Sequence, residues 1–349
     1  MRTSRIAVAG IALASLALAA CGSTTTPQTP ATGGSTPASQ PASSPASEPA
    51  ASGSTVADTL YGPVEIPAPD DGELTVVALG WSDAEVALSL GVKPVGASDW
   101  LGFGADNKGV GSWAVQAYGD VTPTIFEQPG SGYDYEAIAA LDPDVILNTR
   151  AAADEDVYKR LTEIAPTVYA PAGTADYGTA WDVQVNQVAQ ALGAEDEAKK
   201  VVESVDAVIT QQAEAHPEFK GVKAVTGTKF GDQYGAYIAG DFRWDLMASL
   251  GFVQNPPVLD VTPTGFYAAL SAEQVPALDA DVAVFFPIGY TLAEMEKDPL
   301  LASLKVVKDK HVVWLESTDE LTQAFSAASP LSIPFAAEGV TKRLAEVLS

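Results

Sequence analysis

Cations are scarce in this chain, 19 Lys and Arg against 45 Asp and Glu for a formal net charge of −26, so where they stand is informative. Arg150 closes the strand-like run "VILNTR", and Arg243 opens the helix-like run "FRWDLMASLG". A guanidinium offers a planar fork of donors that matches carboxylate or catecholate oxygens. Aromatic residues fall at the same kind of place: Trp81 follows "VVALG", Trp100 follows "PVGASD" and Tyr290 follows "FFPIG". Trp113, Tyr133, Lys229, Tyr237, Trp244 and Phe325 stand in loops or at element starts that could line the same region. Rings and guanidinium groups together suit the capture of a large ligand by stacking, cation–π contact and paired hydrogen bonds. Trp181 and Trp314 are expected in the core.

Bond-making chemistry has weaker support. The chain has two histidines, His216 and His311, far apart in sequence, and one cysteine, Cys21, so no clustered metal ligands are legible and no intrachain disulfide is possible. "GWSDA" at Gly80 to Ala84 sits between a strand and a helix like a nucleophile elbow, which keeps an exported serine hydrolase among the alternatives. Its fifth residue is Ala84 rather than Gly, however, and neither histidine lies in an evident loop, as a triad requires. "GFGADN" from Gly102 lacks the third glycine of a dinucleotide site. The acidic balance and the lack of a basic stripe argue against nucleic acid as a partner.

The elements that must position these residues alternate. "LTVVALG", "SDAEVALSLG" and "VKPVGAS" read as strand, helix and strand, with Ser82 or Asp83 as N-cap. Helices near 134–141 and 154–164 each lead into a strand, and a further helix spans Trp181 to Leu192. "AEDEAKKVVESVDAVITQQAEAH" then runs uninterrupted to Pro217, after which strands and helices resume. Such alternation predicts an α/β fold of two Rossmann-like lobes with parallel sheets, joined by a single long helix, with the ligand gap between lobes beyond the carboxyl ends of the strands. The boundaries expected are 58–192 for the first lobe, 193–217 for the linking helix and 218–349 for the second. One stretch occurs twice: "YEAIAALDPDVIL" from Tyr135 and "SAEQVPALDADVAVF" from Ser271 share Glu136/Glu273, Leu141/Leu278, Asp142/Asp279, Asp144/Asp281 and Val145/Val282. One such unit per lobe explains the repeat.

The start of the chain is of another kind. Arg2 and Arg5 precede an apolar run from Ile6 to Ala20, which suits a secretory signal over 1–20. The run ends in "LAAC", which resembles a lipobox with Cys21 as the acylated first residue of the mature chain. Several acyl chains would hold the protein on the outer face of the cell membrane. The Ser, Thr, Pro and Ala of 21–57 cannot bury enough apolar surface to fold and read as a tether.

Taken in order, "ALGWSDAEVALSLGVKPVGASDW", "YDYEAIAALDPDVILNTR", "LTEIAPTVY", "YIAGDFRWDLMASLGF" and "SAEQVPALDADVAVF" resemble the cobalamin- and siderophore-type substrate-binding lipoproteins of ABC importers. The resemblance runs from about Leu74 to Ser349. It implies a monomeric, non-enzymatic receptor with no intrinsic cofactor, which takes ferric iron only inside a siderophore. It further implies that Glu136 and Glu273, one per lobe, dock on the permease, and that the lobes close only modestly because one stiff helix joins them. Haem or cobalamin as the ligand, and a lipoprotein sensor with no transport role, stay open.

Overall fold

The computed structural model describes residues 55–69, 72–127 and 132–349; the leader and Cys21 lie outside them. The chain is already β-structure at Thr55, two residues before the expected end of the tether. Strands β1 (Thr55–Thr59) and β2 (Gly62–Ile66) form an antiparallel hairpin. The hairpin buries Ala57, Val64 and Ile66 in the first lobe's core. Thr55 Oγ1 donates to Ala191 O at 2.8 Å, and Gln187 Nε2 donates to Asp58 O at 2.6 Å, so the hairpin is tied down by side chains as well as by packing.

The first lobe continues with β3 (Val76–Ala78), α1 (Asp83–Ser89), β4 (Gly96–Asp99), β5 (Thr124–Glu127), α2 (Tyr135–Ala139), β6 (Val145–Asn148), α3 (Glu155–Thr162), β7 (Thr167–Tyr169) and α4 (Trp181–Leu192). Its sheet has the order β5-β4-β3-β6-β7 and is parallel throughout. Strands β3, β6 and β7 are buried at every position, as sheets covered on both faces require.

Helix α5 (Glu195–Ala215) carries the chain to the second lobe. Its 21 residues span about 32 Å at 1.5 Å each. Glu195, Asp196 and Glu197 in the first turn suit the positive end of the helix dipole, and Pro217 stops the helix. It packs on α4 of the first lobe and on two helices of the second, α6 (Phe242–Ser249) and α12 (Ile333–Leu348).

The second lobe departs from an all-parallel reading. Strand β8 (Lys223–Phe230) is followed by β9 (Gln233–Tyr237), and Phe230 pairs with Gln233 across a two-residue turn, a connection only antiparallel strands permit. After α6 come β10 (Val253–Gln254), the short α7 (Pro256–Leu259), β11 (Tyr267–Leu270), β12 (Val282–Ile288), three short helices α8 (Leu292–Met295), α9 (Pro299–Ser303) and α10 (Lys305–Lys308), β13 (Val312–Trp314) and α11 (Glu320–Ala327). The main sheet path is β11-β9-β8-β12-β13, parallel on the β8-β12-β13 side and antiparallel on the other.

The duplicated motif has a mechanical reason. Asp144 Oδ2 accepts from Thr75 N at 2.8 Å while Asp144 N donates to Thr75 O at 2.9 Å, which staples the start of β3 to β6. Asp281 does the same for β8 and β12, accepting from Lys223 N at 3.1 Å and donating to Lys223 O at 3.0 Å. The preceding helices differ. Asp134 caps the α-helix α2, whereas Pro276 inside 272–278 denies that segment a backbone donor and it winds as a 3-10 helix. Charged-to-backbone bonds of this exposure are worth about 1 kcal/mol, so Asp144→Ala should lower the thermal midpoint by about 2–4 °C. Asp281, more exposed and with the longer bond, should cost less on replacement by Ala, and the two losses should add because the sites lie in separate lobes. Thermal unfolding of both single variants and the double checks this; unchanged midpoints would contradict it.

Candidate functional site: the gap between the lobes

The carboxyl ends of β3 and β6 deliver Gly80–Asp83 and Thr149–Arg150 to the edge of the first lobe, where they meet the end of α11. Ser82 and Ala328 face each other across this seam, both in left-handed backbone at φ 63° and 52°. A side chain in that conformation costs about 1–2 kcal/mol, so the surrounding contacts must hold it. They converge on one acceptor: Ser82 Oγ donates to Ala327 O at 2.7 Å and Arg150 Nη1 donates to the same oxygen at 2.9 Å. Ser329 Oγ donates to Glu85 Oε2, and Glu85 also accepts from Trp113 Nε1 at 2.8 Å and Gly111 N at 3.0 Å.

Asp83 organises the first-lobe side. It accepts from Gly80 N at 3.0 Å, Thr149 N at 2.9 Å, Gln184 Nε2 at 2.8 Å and the Thr149 hydroxyl. Residue 80 has no room for a side chain, since a Cβ there would lie 2.4 Å from Asp83 Oδ2. Thus Ser82 is the N-cap position of α1, but neither it nor Asp83 caps the helix with its side chain. Burial pushes the carboxyl groups of both Asp83 and Glu85 above their usual range, and the hydrogen bonds each accepts offset part of that shift.

Arg150 is the one buried Lys or Arg among the described residues, 5 % exposed. Its hydrogen bonds go to two carbonyls, Ala327 O and Tyr177 O, the latter from Nε at 3.2 Å. Burial brings its pKa down to about 10; Asp241 and Asp83 pull it up and Arg243 pushes it further down, so charges of both lobes reach it. Arg243 donates Nε and Nη2 to the two oxygens of Asp241, at 2.8 and 2.6 Å, and lies 3.7 Å over the Tyr237 ring. Burial works against its charge, but Asp241, by charge and hydrogen bond, together with Tyr237 and Tyr267 outweighs burial and holds the guanidinium above the ordinary arginine value. A crevice of about 20 Å³, room for about one water, lies between Arg150 and Tyr177 of one lobe and Asp241 and Phe242 of the other.

Beside the arginines the aromatic residues stack largely on one another. Trp81 lies between Trp100, with centroids 4.7 Å apart, and Tyr177, 4.3 Å away. The series continues edge-on through Phe103 to Trp113, which stacks at 6.4 Å on Phe335 of α12 and so bridges the lobes. Trp181 likewise packs against the cores of both lobes.

The structure therefore gathers Arg150, Arg243, Trp81, Trp100, Trp113 and Tyr237 around the seam, although Tyr237 is buried beneath Arg243 and presents no free face. Two expected ligand contacts are corrected. Phe325 is 0 % exposed and packs on Phe242, and Trp244 is 5 % exposed on the inner face of α6; both belong to the second lobe's core. Lys229 stands apart from the arginines: its Nζ is 2.7 Å from Asp298 and sits over the rings of Tyr234 and Tyr290. Tyr133 bonds Asn148 Oδ1 at 3.2 Å within the first lobe. Glu136 and Glu273 are exposed, each in the first turn of its helix. Among the described residues no group of three or more His, Cys, Asp or Glu could hold a metal ion, and no helix is long and apolar enough to cross a membrane.

A family model described as "Periplasmic binding protein" matches residues 76–318, across both sheets and α5. The chain belongs to that family. It is 27% identical over 250 residues to the Fe(3+)-citrate-binding protein YfmC of Bacillus subtilis, covering 68% of this chain and 71% of that one. It is 26% identical over 223 residues to the probable siderophore-binding lipoprotein YfiY of the same organism, covering 60% and 62%. The solved structure of Streptococcus pneumoniae PiaA in complex with ferrichrome superposes with a TM-score of 0.69 at 26% identity, over 84% of this chain and 98% of that one.

As a member of this family the chain is a binding protein, not an enzyme, and the hydrolase alternative falls. Ser82 is 2 % exposed with its hydroxyl donated to Ala327 O, while His216 bonds Glu218 and His311 bonds Asp281 O. Four residues of the seam escaped the sequence reading. Glu85 was signalled as the lone acid among the apolar residues of "AEVALSLG", and Asp241 as an N-cap before "FRWD". Tyr177 and Ala327 carried no signal, because their roles rest on a left-handed loop and on a backbone carbonyl.

The raised Glu85 carboxyl gives a pH dependence with a defined sign. A carboxyl that holds its proton more tightly folded than unfolded contributes stability that is complete below its unfolded value, 4.5, and is lost as pH rises through the folded value. The thermal stability of the wild type relative to Glu85→Gln should therefore fall as pH is raised from 4.5 toward neutrality. Midpoints of the two proteins that run parallel across that window would contradict the assignment.

Proposed function

We propose that this protein is a membrane-tethered receptor that captures a ferric siderophore in the gap between its lobes and presents it to the permease of an ABC importer. One observation carries the proposal: the buried guanidinium of Arg150 in the first lobe lines a crevice at the lobe junction opposite Asp241 and Phe242 of the second, in a chain otherwise dominated by acids. Support comes from the relatives, whose names specify ferric citrate and siderophores, and from the ferrichrome held by a protein of similar fold. Arg150, Arg243, Trp81, Trp100, Trp113 and Tyr177 are the contacts assigned to the ligand. Iron arrives wrapped in its chelator, and the protein supplies no ligand atom to the metal.

Delivery rests on Glu136 and Glu273. Both stand exposed in the first turn of a short helical segment, α2 or 272–278, that leads into a strand, β6 or β12. Two exposed carboxylates, one per lobe, give a partner with paired cations a two-point contact that sets orientation more than affinity. The lipobox Cys21, through its acyl chains, and the segment that follows it hold this body within reach of the permease.

Titrating the detergent-solubilised full chain with ferric citrate, a ferric hydroxamate, a ferric catecholate, haem and cobalamin, and following tryptophan fluorescence, tests the receptor reading. Saturable quenching at submicromolar concentration by a ferric chelate is expected; silence across the panel, or a response to haem or cobalamin alone, would overturn it. In cells, Glu136→Ala combined with Glu273→Ala should leave the affinity unchanged and abolish uptake. Undiminished uptake would remove the docking role.

A further inference from the structure

The crevice at the lobe junction measures about 20 Å³, whereas small-molecule sites run to roughly 300–1,000 Å³, and the bonds to Ala327 O hold the lobes in place around it. A receptor fastened in this way gains room for a ligand by moving something smaller than a lobe. The loop 170–180, which joins β7 to α4, carries the group that fills the space. Its Tyr177 ring lies on Trp81 with centroids 4.3 Å apart, and Trp100 covers the other face at 4.7 Å. Both faces of Trp81 are therefore taken by the protein's own rings, at the spacing a planar ligand group would adopt. The indole Nε1 of Trp81 is buried and has no hydrogen-bond partner among the described residues, so the closed arrangement leaves a donor unserved.

The loop is built to release. Tyr177 stands in left-handed backbone at φ 58°, which a tyrosine adopts only where its surroundings hold it, and Gly173 and Gly178 lie on either side as turning points. Toward the first lobe it is held by three bonds: Tyr177 N donates to Ala151 O at 3.1 Å, Tyr177 O accepts from Arg150 Nε at 3.2 Å, and Asp176 Oδ1 accepts from Ala153 N at 2.9 Å. Toward the second lobe it abuts the turn Thr264–Tyr267 that opens β11. A Cβ on Gly265 would stand 3.8 Å from that of Ala175, and one on Gly178 would stand 3.3 Å from Phe266 Cδ1. Among the described residues no hydrogen bond joins the loop to that turn, so the contact across the gap can part without breaking one. Thr179 is the fixed end: it is buried beside α4, and its hydroxyl donates to Thr149 O at 2.7 Å.

Resting on the receptor reading above, we infer that 171–178 is a strap that closes the gap in the free protein, its Tyr177 ring standing on Trp81 in a place the ligand takes. Binding lifts the strap off Trp81 and parts Ala175 from Gly265, while Thr179 and the bonds to Ala327 O stay as they are. The fraction of molecules with the strap raised, and not a rotation of the lobes, then sets both the rate of entry and the apparent affinity.

A disulfide tests this directly. Ala175→Cys combined with Gly265→Cys sets two side chains at a Cβ separation of 3.8 Å, within the range a disulfide spans, and so locks the strap to the second lobe. The detergent-solubilised full chain is titrated with ferric citrate, ferrichrome and a ferric catecholate, and the wild type taken through the same oxidation controls for Cys21. The oxidised variant should bind the chelate that the wild type prefers at least about 30-fold more weakly, and reduction should restore binding to within about threefold. In stopped-flow tryptophan fluorescence, Tyr177→Gly, which removes the ring and accepts the left-handed backbone, should associate at least about tenfold faster than the wild type. Thiols that fail to join, a cross-linked protein that binds as the wild type does, or an unchanged association rate in Tyr177→Gly would overturn the inference while leaving the receptor reading in place. Binding of none of the three chelates by a wild type that shows its normal thermal transition would remove both.

Discussion

The carbonyl oxygen of Ala327 is the point on which the two lobes depend. It belongs to the second lobe and accepts from two side chains of the first, the Ser82 hydroxyl and the Arg150 guanidinium. Both lobes are deformed to make that meeting possible, since Ser82 and Ala328 adopt left-handed backbone without being glycine. The strain is tolerated because the groups around it are fixed on all sides: Asp83 binds Gly80 and Thr149, Glu85 binds Gly111, Trp113 and Ser329, and Gln184 ties Asp83 to α4. Without the seam, the lobes would be held by α5 and by the packing of Trp113 on Phe335 and Trp181 on both cores.

This arrangement relates stability to function through buried charge. A guanidinium removed from water needs compensation, and carbonyl acceptors supply only part of it. Arg150 is held at the junction by two carbonyl oxygens, with no carboxylate bonded to it. Arg243 differs: it is neutralised by Asp241 and rests on the Tyr237 ring.

Much of the architecture was legible in the sequence because it follows from periodicity. The helices at Trp181–Leu192 and Glu195–Ala215 and the parallel strands at Val145 and Val282 lie where apolar spacing placed them. The duplicated motif marked a real equivalence, for Asp144 and Asp281 each staple the first strand of a sheet. The hairpin at Thr55–Ile66 was missed because its short alternating runs adjoin a Ser, Thr and Pro segment of similar composition. Antiparallel pairing of β8 with β9 was hidden because strand direction depends on a two-residue turn rather than on strand composition. At the junction, residue type could not separate Trp81 and Trp100, which stack on each other near the seam, from Trp244 and Phe325 in the core, since aromatic residues read alike until the packing is known.

A receptor whose lobes are fastened at Ala327 and braced by one 21-residue helix should change the relative orientation of its lobes little on binding. The most direct test is a pair of crystal structures, free and bound to a ferric chelate, compared by the rotation of one lobe against the other. Rotation below about 10°, with Ser82 and Arg150 still bonded to Ala327 O in both, is the expected result. Rotation beyond about 20°, or release of Ala327 O on binding, would show that the seam is a hinge rather than a fastening and would contradict the central claim.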